Sequence, residues 1–132
     1  MKKNRQIFIN LPVKNLEKSI DFFTKLGFTF NPKFTDENAT CMIISEDIYA
    51  MLLVKKFFKS FITKDIADSR KSAEVILAIT AESRDEVNEL VNKALAAGGK
   101  KSKEPEDHGW MYGWGFQDPD GHLWEVFYMG EN

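Results

Sequence analysis

One order of elements occurs twice in this chain, and that repeat constrains the fold more than any other feature. Ile7, Ile9, Leu11 and Val13 alternate with Phe8, Asn10 and Pro12, the period of two that marks a strand with one buried face. Asn15 can cap a helix. Leu16, Ile20, Phe23 and Leu26 follow at helical spacing, and Gly27 sits just past them, where a C-terminal cap belongs. Phe28 to Phe34 reads as a strand in which Pro32 marks an edge or a bend, and the runs Thr40–Ser45 and Ile48–Val54 flank Glu46-Asp47 as a hairpin. The same order then returns. Glu74 to Ile79 alternates, Ser83 with Glu86 forms a capping box, and Val87, Leu90, Val91 and Ala94 make a helical stripe ended by Gly98-Gly99. Lys100 to Lys103 can form a short polar edge strand. Trp110–Phe116 and Leu123–Met129 flank the turn Asp118-Pro119-Asp120-Gly121. Both halves read β-α-β-β-β. The alternation sets Phe8 on Glu74, the stripes set Ile20 on Val87, and the hairpins set Met51 on Glu125.

The fold expected from this repeat is α+β. Two tandem modules, 1–54 and 73–132, pair into a curved mixed sheet around a cleft, with helices over Asn15–Leu26 and Ser83–Ala97 on the outside. A length of 132 residues fits one domain built from both modules. Eighteen basic and 20 acidic side chains leave a net charge of −2, without the basic excess by which a protein neutralises phosphates, so no nucleic-acid partner is expected. The lone cysteine, Cys41, excludes an intrachain disulfide, fits a reducing compartment and reads as a small buried hydrophobe. No apolar run reaches the ~18 residues of a membrane span. Met1 to Gln6 is basic enough to open a leader, but the apolar run behind it is broken by Asn10 and Pro12. We expect a complete, soluble, cytoplasmic chain with no membrane partner.

The connector 55–72 carries Lys55, Lys56, Lys59, Lys64, Arg70 and Lys71 against Asp65 and Asp68, together with Phe57, Phe58, Phe61 and Ile62. It reads either as an amphipathic link with a solvated basic face or as a flap bringing rings and positive charge over a cleft, which favours an anionic ligand. Eleven Phe, three Trp and three Tyr are many rings for so small an interior. Trp110, Tyr112 and Trp114 share one strand face, and Met111, Gly113 and Gly115 the other. With Phe8, Met51 and Phe127, the three rings would line an aromatic cleft or else fill the core. His108, after Asp107 and before a glycine, reads either as a plain loop histidine or as a proton-transfer group or replacement ligand. His122 is expected to be exposed.

Two β-α-β-β-β units ending in Asp118-Pro119-Asp120-Gly121-His122-Leu123-Trp124-Glu125-Val126 resemble the vicinal oxygen chelate superfamily. This group holds lactoylglutathione lyase, bleomycin-resistance proteins, fosfomycin thioltransferases and extradiol dioxygenases. The opening, Phe8 to Phe23, is similar to that superfamily's first strand and helix, and Asp107-His108-Gly109-Trp110-Met111-Tyr112 to a bacterial glyoxalase-like subgroup. The resemblance implies one metal ligand at the start of each module's first strand and one on the strand after its hairpin, all four facing a shared cleft that forms within one chain or across a dimer. The matching positions are Phe8, Met51, Glu74 and Glu125, with Ile9, Leu52, Val75 and Val126 facing the helices.

Phenyl does not bind divalent ions and a thioether binds hard or borderline ones weakly. Glu74 and Glu125 alone suit weak Mg or Mn binding, so no tightly bound cofactor is expected and a weak divalent metal is the most the set supports. If both carboxylates face the cleft, they are close like charges. One pKa then rises, and that group can act as an acid or base without a metal. Each also has a plain reading, Glu125 as a structural carboxylate and Glu74 as a solvated strand start. The expected function is binding of a small organic molecule in an aromatic cleft by Phe8, Asn10, Met51, Trp110, Tyr112, Trp114 and Phe127, in a homodimer. The alternatives are a metal-dependent glyoxalase-type lyase, isomerase or dioxygenase using Glu125, Glu74 and His108, and a regulatory module with a vestigial cleft.

Overall fold

The alternating segments form strands, and the capped stripes form helices, in a computed structural model that describes residues 4–130. Met1 to Lys3, part of the basic start weighed as a leader, lie outside the described residues. The fold is mixed α+β, and the chain divides into two compact units, Met1–Ala67 and Asp68–Asn132. The boundary falls inside the connector, so the basic, Phe-rich stretch goes with the first unit and Ser69–Arg70 with the second.

In the first unit, β1 (Ile7–Val13), β2 (Thr29–Asn31), β3 (Ala39–Ser45) and β4 (Ile48–Val54) form a sheet in the order β1-β4-β3-β2. β1 and β4 run parallel, and the other pairs are antiparallel. The helix α1 (Leu16–Lys25) begins where the Asn15 side chain accepts from the Lys18 backbone N–H at 3.0 Å, satisfying a donor that the first turn leaves free. It buries Leu16, Ser19, Phe22 and Phe23. The sheet answers with Leu11, Val13, Met42, Ala50 and Leu52, all buried, which by strand parity share one face. Ser19 and Phe22 are buried where the stripe read from sequence had Ile20, so the buried arc is rotated toward them. The expected strand Phe28–Phe34 stops at Asn31. Pro32 opens a 3-10 turn over Pro32–Phe34, and the Asn31 side chain accepts from the Lys33 N–H at 3.0 Å. A short helix, α2 (Lys55–Lys59), follows β4 directly.

In the second unit, β5 (Ile76–Thr80), β6 (Lys100–Lys101), β7 (Glu106–Asp107), β8 (Met111–Gln117) and β9 (Leu123–Met129) form one sheet. Its order is β5-β9-β8-β6, with β7 also pairing β8. β5 and β9 are parallel. The polar edge expected at Lys100–Lys103 forms only over Lys100–Lys101, as β6, and the second short strand, β7, lies beyond it at Glu106–Asp107. The helix α3 (Arg84–Ala96) starts at Ser83, whose hydroxyl accepts from the Glu86 N–H at 3.0 Å. Glu86 returns the bond to the Glu82 N–H at 2.8 Å, one residue earlier than the usual capping box. Val87, Val91 and Ala94 from α3 meet Trp124, Val126 and Phe116 in the buried core, with Phe116 and Trp124 parallel at 6.4 Å between centroids.

The turn joining β8 to β9 is built around Asp118. One of its carboxylate oxygens accepts from the backbone N–H groups of Asp120 at 2.9 Å and His122 at 3.1 Å, and the other from Trp124 Nε1 at 3.1 Å. The chain entering this unit is fastened to the same turn. Ser69 donates to the Asp120 carbonyl at 2.7 Å, and Arg70 to the Pro119 carbonyl at 3.2 Å. Gly121 lies at φ +87, and a Cβ there would stand 3.0 Å from Arg70 Cα and from the Ser69 carbonyl oxygen.

Candidate functional site

On the first unit's sheet, the face turned away from α1 carries Phe8, Asn10, Tyr49 and Met51. Parallel pairing puts Phe8 beside Tyr49 and Asn10 beside Met51, and Cys41 stands opposite Met51 on β3. Phe8 and Met51 thus share a face, and Ile9 and Leu52 have the opposite parity, as expected. The Phe8 and Tyr49 rings stack at 4.7 Å and 13°. The Tyr49 hydroxyl donates to the Glu46 carbonyl at 2.6 Å, which holds one member of the stack in place. Phe8 is 44% exposed, while Cys41 is buried and its thiol pKa is pushed up by that burial.

The second unit sorts its candidates differently from the sequence reading. Gly115 pairs with Glu125, Gly113 with Phe127, and Ala78 with Glu125 from the other side. The face away from α3 therefore holds Glu125 and Phe127 over a floor of Ala78, Gly113 and Gly115. A Cβ at Gly115 would come within 2.6 Å of the Trp124 carbonyl oxygen and 3.3 Å of Glu125 Cγ. Tyr112 and Trp114 belong to the α3 face. The Tyr112 hydroxyl reaches Asn88 on α3 at 2.5 Å, and Arg84 lies 5.1 Å over its ring. The ring row and the Glu125–Phe127 row are thus on opposite sides of one sheet, because neighbouring strands in register put Trp114 with Val126. Trp110 lies just before β8 and is 55% exposed. The sequence carried the alternation but not which half of it faced the helix.

The pairing also corrects the match between the modules. Met51 pairs with Asn10 and Glu125 with Ala78, so Phe8 corresponds to Ile76, two residues beyond Glu74. Glu74 is exposed and precedes β5. The alternation around Glu74 has the same parity in both registers, so a slip of two is invisible to it. The four matched positions are Phe8, Met51, Ile76 and Glu125, and only the last is a carboxylate.

That carboxylate has an internal partner that the sequence reading missed. Lys103 Nζ lies 3.0 Å from Glu125 and 2.6 Å from Glu106. The hydrogen bond to Glu106, then that to Glu125, raises the lysine pKa, and Lys103 in turn pulls Glu106 down. His108 Nε2 lies 3.3 Å from the other oxygen of Glu106. The Lys103 carbonyl accepts from Trp114 Nε1 at 2.9 Å, so an indole on the helix side fixes the lysine backbone. Only the polar edge Lys100–Lys103 hinted at this in the sequence. His122 is half-buried rather than exposed. Among the described residues, no group of three or more His, Cys, Asp or Glu side chains could hold a metal ion.

A second charged cluster steadies the His108 loop. Arg84 grips Asp107 with two bonds, 2.6 and 3.0 Å, and Asp107 also accepts from the Gly109 N–H at 2.9 Å. The Arg84 hydrogen bond, chiefly, holds the Asp107 carboxyl down at about 2. Replacing Arg84 with Met should return Asp107 toward its ordinary 3.8, read by carboxyl NMR titration. An unmoved Asp107 would show that the Gly109 amide alone sets it. A group with a depressed folded pKa adds stability above its unfolded pKa and loses it as pH falls through the folded value. The Asp107 contribution therefore disappears between 3.8 and about 2.

The family model described as the glyoxalase/bleomycin resistance protein/dioxygenase superfamily matches residues 5–126. The chain belongs to this superfamily. This glyoxalase-superfamily protein is 29% identical to a hypothetical protein from S. aureus, with a TM-score of 0.81 over 93% of this chain and 92% of that one. A glyoxalase-related enzyme from Fulvimarina pelagi shares 22% identity at TM-score 0.80, covering 93% of this chain and 87% of that one. A genomically encoded fosfomycin resistance protein from Listeria monocytogenes shares 20% at TM-score 0.67, covering 94% and 92%. At these two lower identities the likeness is one of fold. No curated protein matches the sequence. No helix among the described residues is long and apolar enough to cross a membrane.

Proposed function

We propose that this superfamily member binds a small organic molecule and holds no divalent ion tightly. The observation that carries the reading is the side-chain set at the four positions where the superfamily resemblance implies ligands. Phe8 and Ile76 carry no donor atom, Met51 offers a thioether, and Glu125 is already paired with the Lys103 ammonium at 3.0 Å. An ion at Glu125 would have to displace that cation, and three of the four positions would return little for it. The apolar members of the set suit an organic ligand instead. The exposed Phe8–Tyr49 stack offers ring surface, and an added ring pair contributes ~0.5–1.5 kcal/mol beyond burial. Phe127, half-buried on the face of the second unit turned away from α3, offers a further ring. A homodimer in the cytoplasm, as expected from the sequence, completes the proposal and is checked by light scattering and cell fractionation.

The test joins metal analysis of the purified protein to a small-molecule screen by thermal shift and tryptophan fluorescence. We expect substoichiometric metal, no saturable stabilisation by micromolar Mn, Ni or Zn, and organic ligands whose binding survives a chelator. A ligand selective for the native state must raise the apparent stability. Saturable stabilisation by micromolar metal, abolished in Glu125→Gln, would replace this reading with a metal-dependent lyase, isomerase or dioxygenase.

A further inference from the structure

The lysines and phenylalanines that follow β4 have no part in the small-molecule reading. No acidic residue occurs from Ile48 to Lys64, and residues 55–64 hold Lys55, Lys56, Lys59 and Lys64. The rest of the chain carries 14 basic against 20 acidic side chains, so positive charge is gathered on one short segment of an acidic protein. All four lysines are exposed. Lys59 donates to the Lys64 carbonyl and lies 3.9 Å from Asp65. Among the described residues, the ammonium groups of Lys55, Lys56 and Lys64 have no ion-pair partner.

The segment holds a defined shape. Turns continue past α2, with the Ser60 N–H donating to the Phe57 carbonyl at 3.1 Å, Phe61 to Phe58 at 3.1 Å and Ile62 to Lys59 at 3.3 Å. Residues three and four apart are neighbours on a helix, so Lys55, Lys56 and Lys59 fall on one arc and Phe57, Phe58 and Phe61 on another. Phe57 and Phe58 are half-buried. Phe61 meets Phe57 edge to face at 5.0 Å and is still 67% exposed, the most of any large apolar side chain among the described residues. From this arrangement we infer that residues 55–64 dock on an anionic lipid surface, with the lysines among the headgroups and Phe61 entering the headgroup–acyl boundary. Basic side chains clustered on an amphipathic element attract anionic lipid. The long lysine stems let the ammonium groups stay among the headgroups while a ring sits deeper. Other anions fit less well. A small anion needs cations that converge on one point, and these are spread along the segment. A nucleic acid would run on past the segment over an acidic surface. A surface contact needs no spanning run, whereas the expectation of no membrane partner rested on the lack of one.

This inference is independent of the small-molecule reading. The test is co-sedimentation of the full chain with vesicles of phosphatidylcholine alone, or of phosphatidylcholine with about one-quarter phosphatidylglycerol. We expect binding to the anionic vesicles only, lost at about 0.5 M NaCl, where charges are screened within a few ångströms. A lysine near an anionic leaflet contributes roughly fivefold to partitioning, so the triple variant Lys55→Gln/Lys56→Gln/Lys64→Gln should lower it roughly 100-fold. The same charge removed elsewhere, in Lys18→Gln/Lys33→Gln/Lys100→Gln, should lower it less than ~3-fold. Phe61→Ser should lower it roughly tenfold even at low salt, by loss of buried ring surface. All the substituted residues are exposed, so the variants should fold, which circular dichroism verifies. No binding to anionic vesicles at low salt would overturn the inference. Equal losses in the two lysine triples would also overturn it, because net charge would then be the cause. So would unchanged binding of Phe61→Ser, which would mark a general polyanion surface in place of a lipid one.

Discussion

Asp118→Ala should lower the unfolding free energy by roughly 2–4 kcal/mol, from the loss of the turn's acceptor and the stranding of buried donors. The carboxylate is buried and serves three N–H groups, those of Asp120, His122 and the Trp124 indole. Alanine offers none of them an acceptor, and the indole is sealed between β9 and the core. The measurement is a denaturant titration of wild type, Asp118→Ala, Trp124→Phe and the double variant. Coupling of ~1 kcal/mol or more between the two sites is expected, because both changes remove the same bond. Additive losses would show that the turn, not the indole, accounts for the cost. Burial pushes the Asp118 pKa above its ordinary 3.8, outweighing His122 and the three hydrogen bonds that oppose it. An acid raised on folding adds stability that is full below its unfolded pKa and is lost as pH rises through the folded one. Wild type should therefore gain on Asp118→Asn as pH drops through this range.

Gly121→Ala should cost roughly 2–3 kcal/mol, more than a change of backbone preference alone. The residue sits at φ +87, where a side chain is penalised by ~1–2 kcal/mol. Its Cβ would also press on Arg70 Cα and the Ser69 carbonyl at 3.0 Å, loosening the bonds from Ser69 and Arg70 to the turn. Gly98→Ala is the control. It has φ +110 with nothing within 4 Å of the added atom, so the difference between the variants isolates the crowding. Trypsin should cut Gly121→Ala faster at Arg70 and Lys71. Equal stability losses and equal cleavage in the two variants would mean that the Ser69–Arg70 contact contributes nothing.

Local features were legible in the sequence, and pairings were not. Asn15 and Ser83 place the helix starts because a cap is a contact between neighbours in the chain, and the caps form as expected. The turn after β8 was visible for the same reason. Which face of β8 carried the rings depended on α3, through Tyr112 meeting Asn88 and Arg84, and alternation is identical whichever face is inward. Glu74 was matched to Phe8 because parity tolerates a slip of two, and only the β5–β9 pairing fixed the register. The Lys103–Glu125 contact was hidden for a different reason. A long side chain from an edge segment crosses β8 to reach β9, and no spacing rule describes that reach. The membership of the superfamily was legible because it rests on repeated element order and a tail motif, both local.

The parallel pairing of β5 with β9 sets a schedule for synthesis. β9 lies between β5 and β8, so an interior strand of this sheet is the last one translated. At ~5–20 residues per second, a ribosome needs ~2–9 s to travel from β5 to β9. Throughout that interval β5 has no strand to lie against, and Val75 and Ile76 are exposed even in the finished fold. The nascent second unit must hold an apolar strand unpaired until Leu123 onward leaves the exit tunnel. The first unit closes its own parallel pair once Val54 has emerged. Vectorial folding therefore favours a finished first half waiting beside an unfinished second one, and stalled or truncated translation products should fail in the second half.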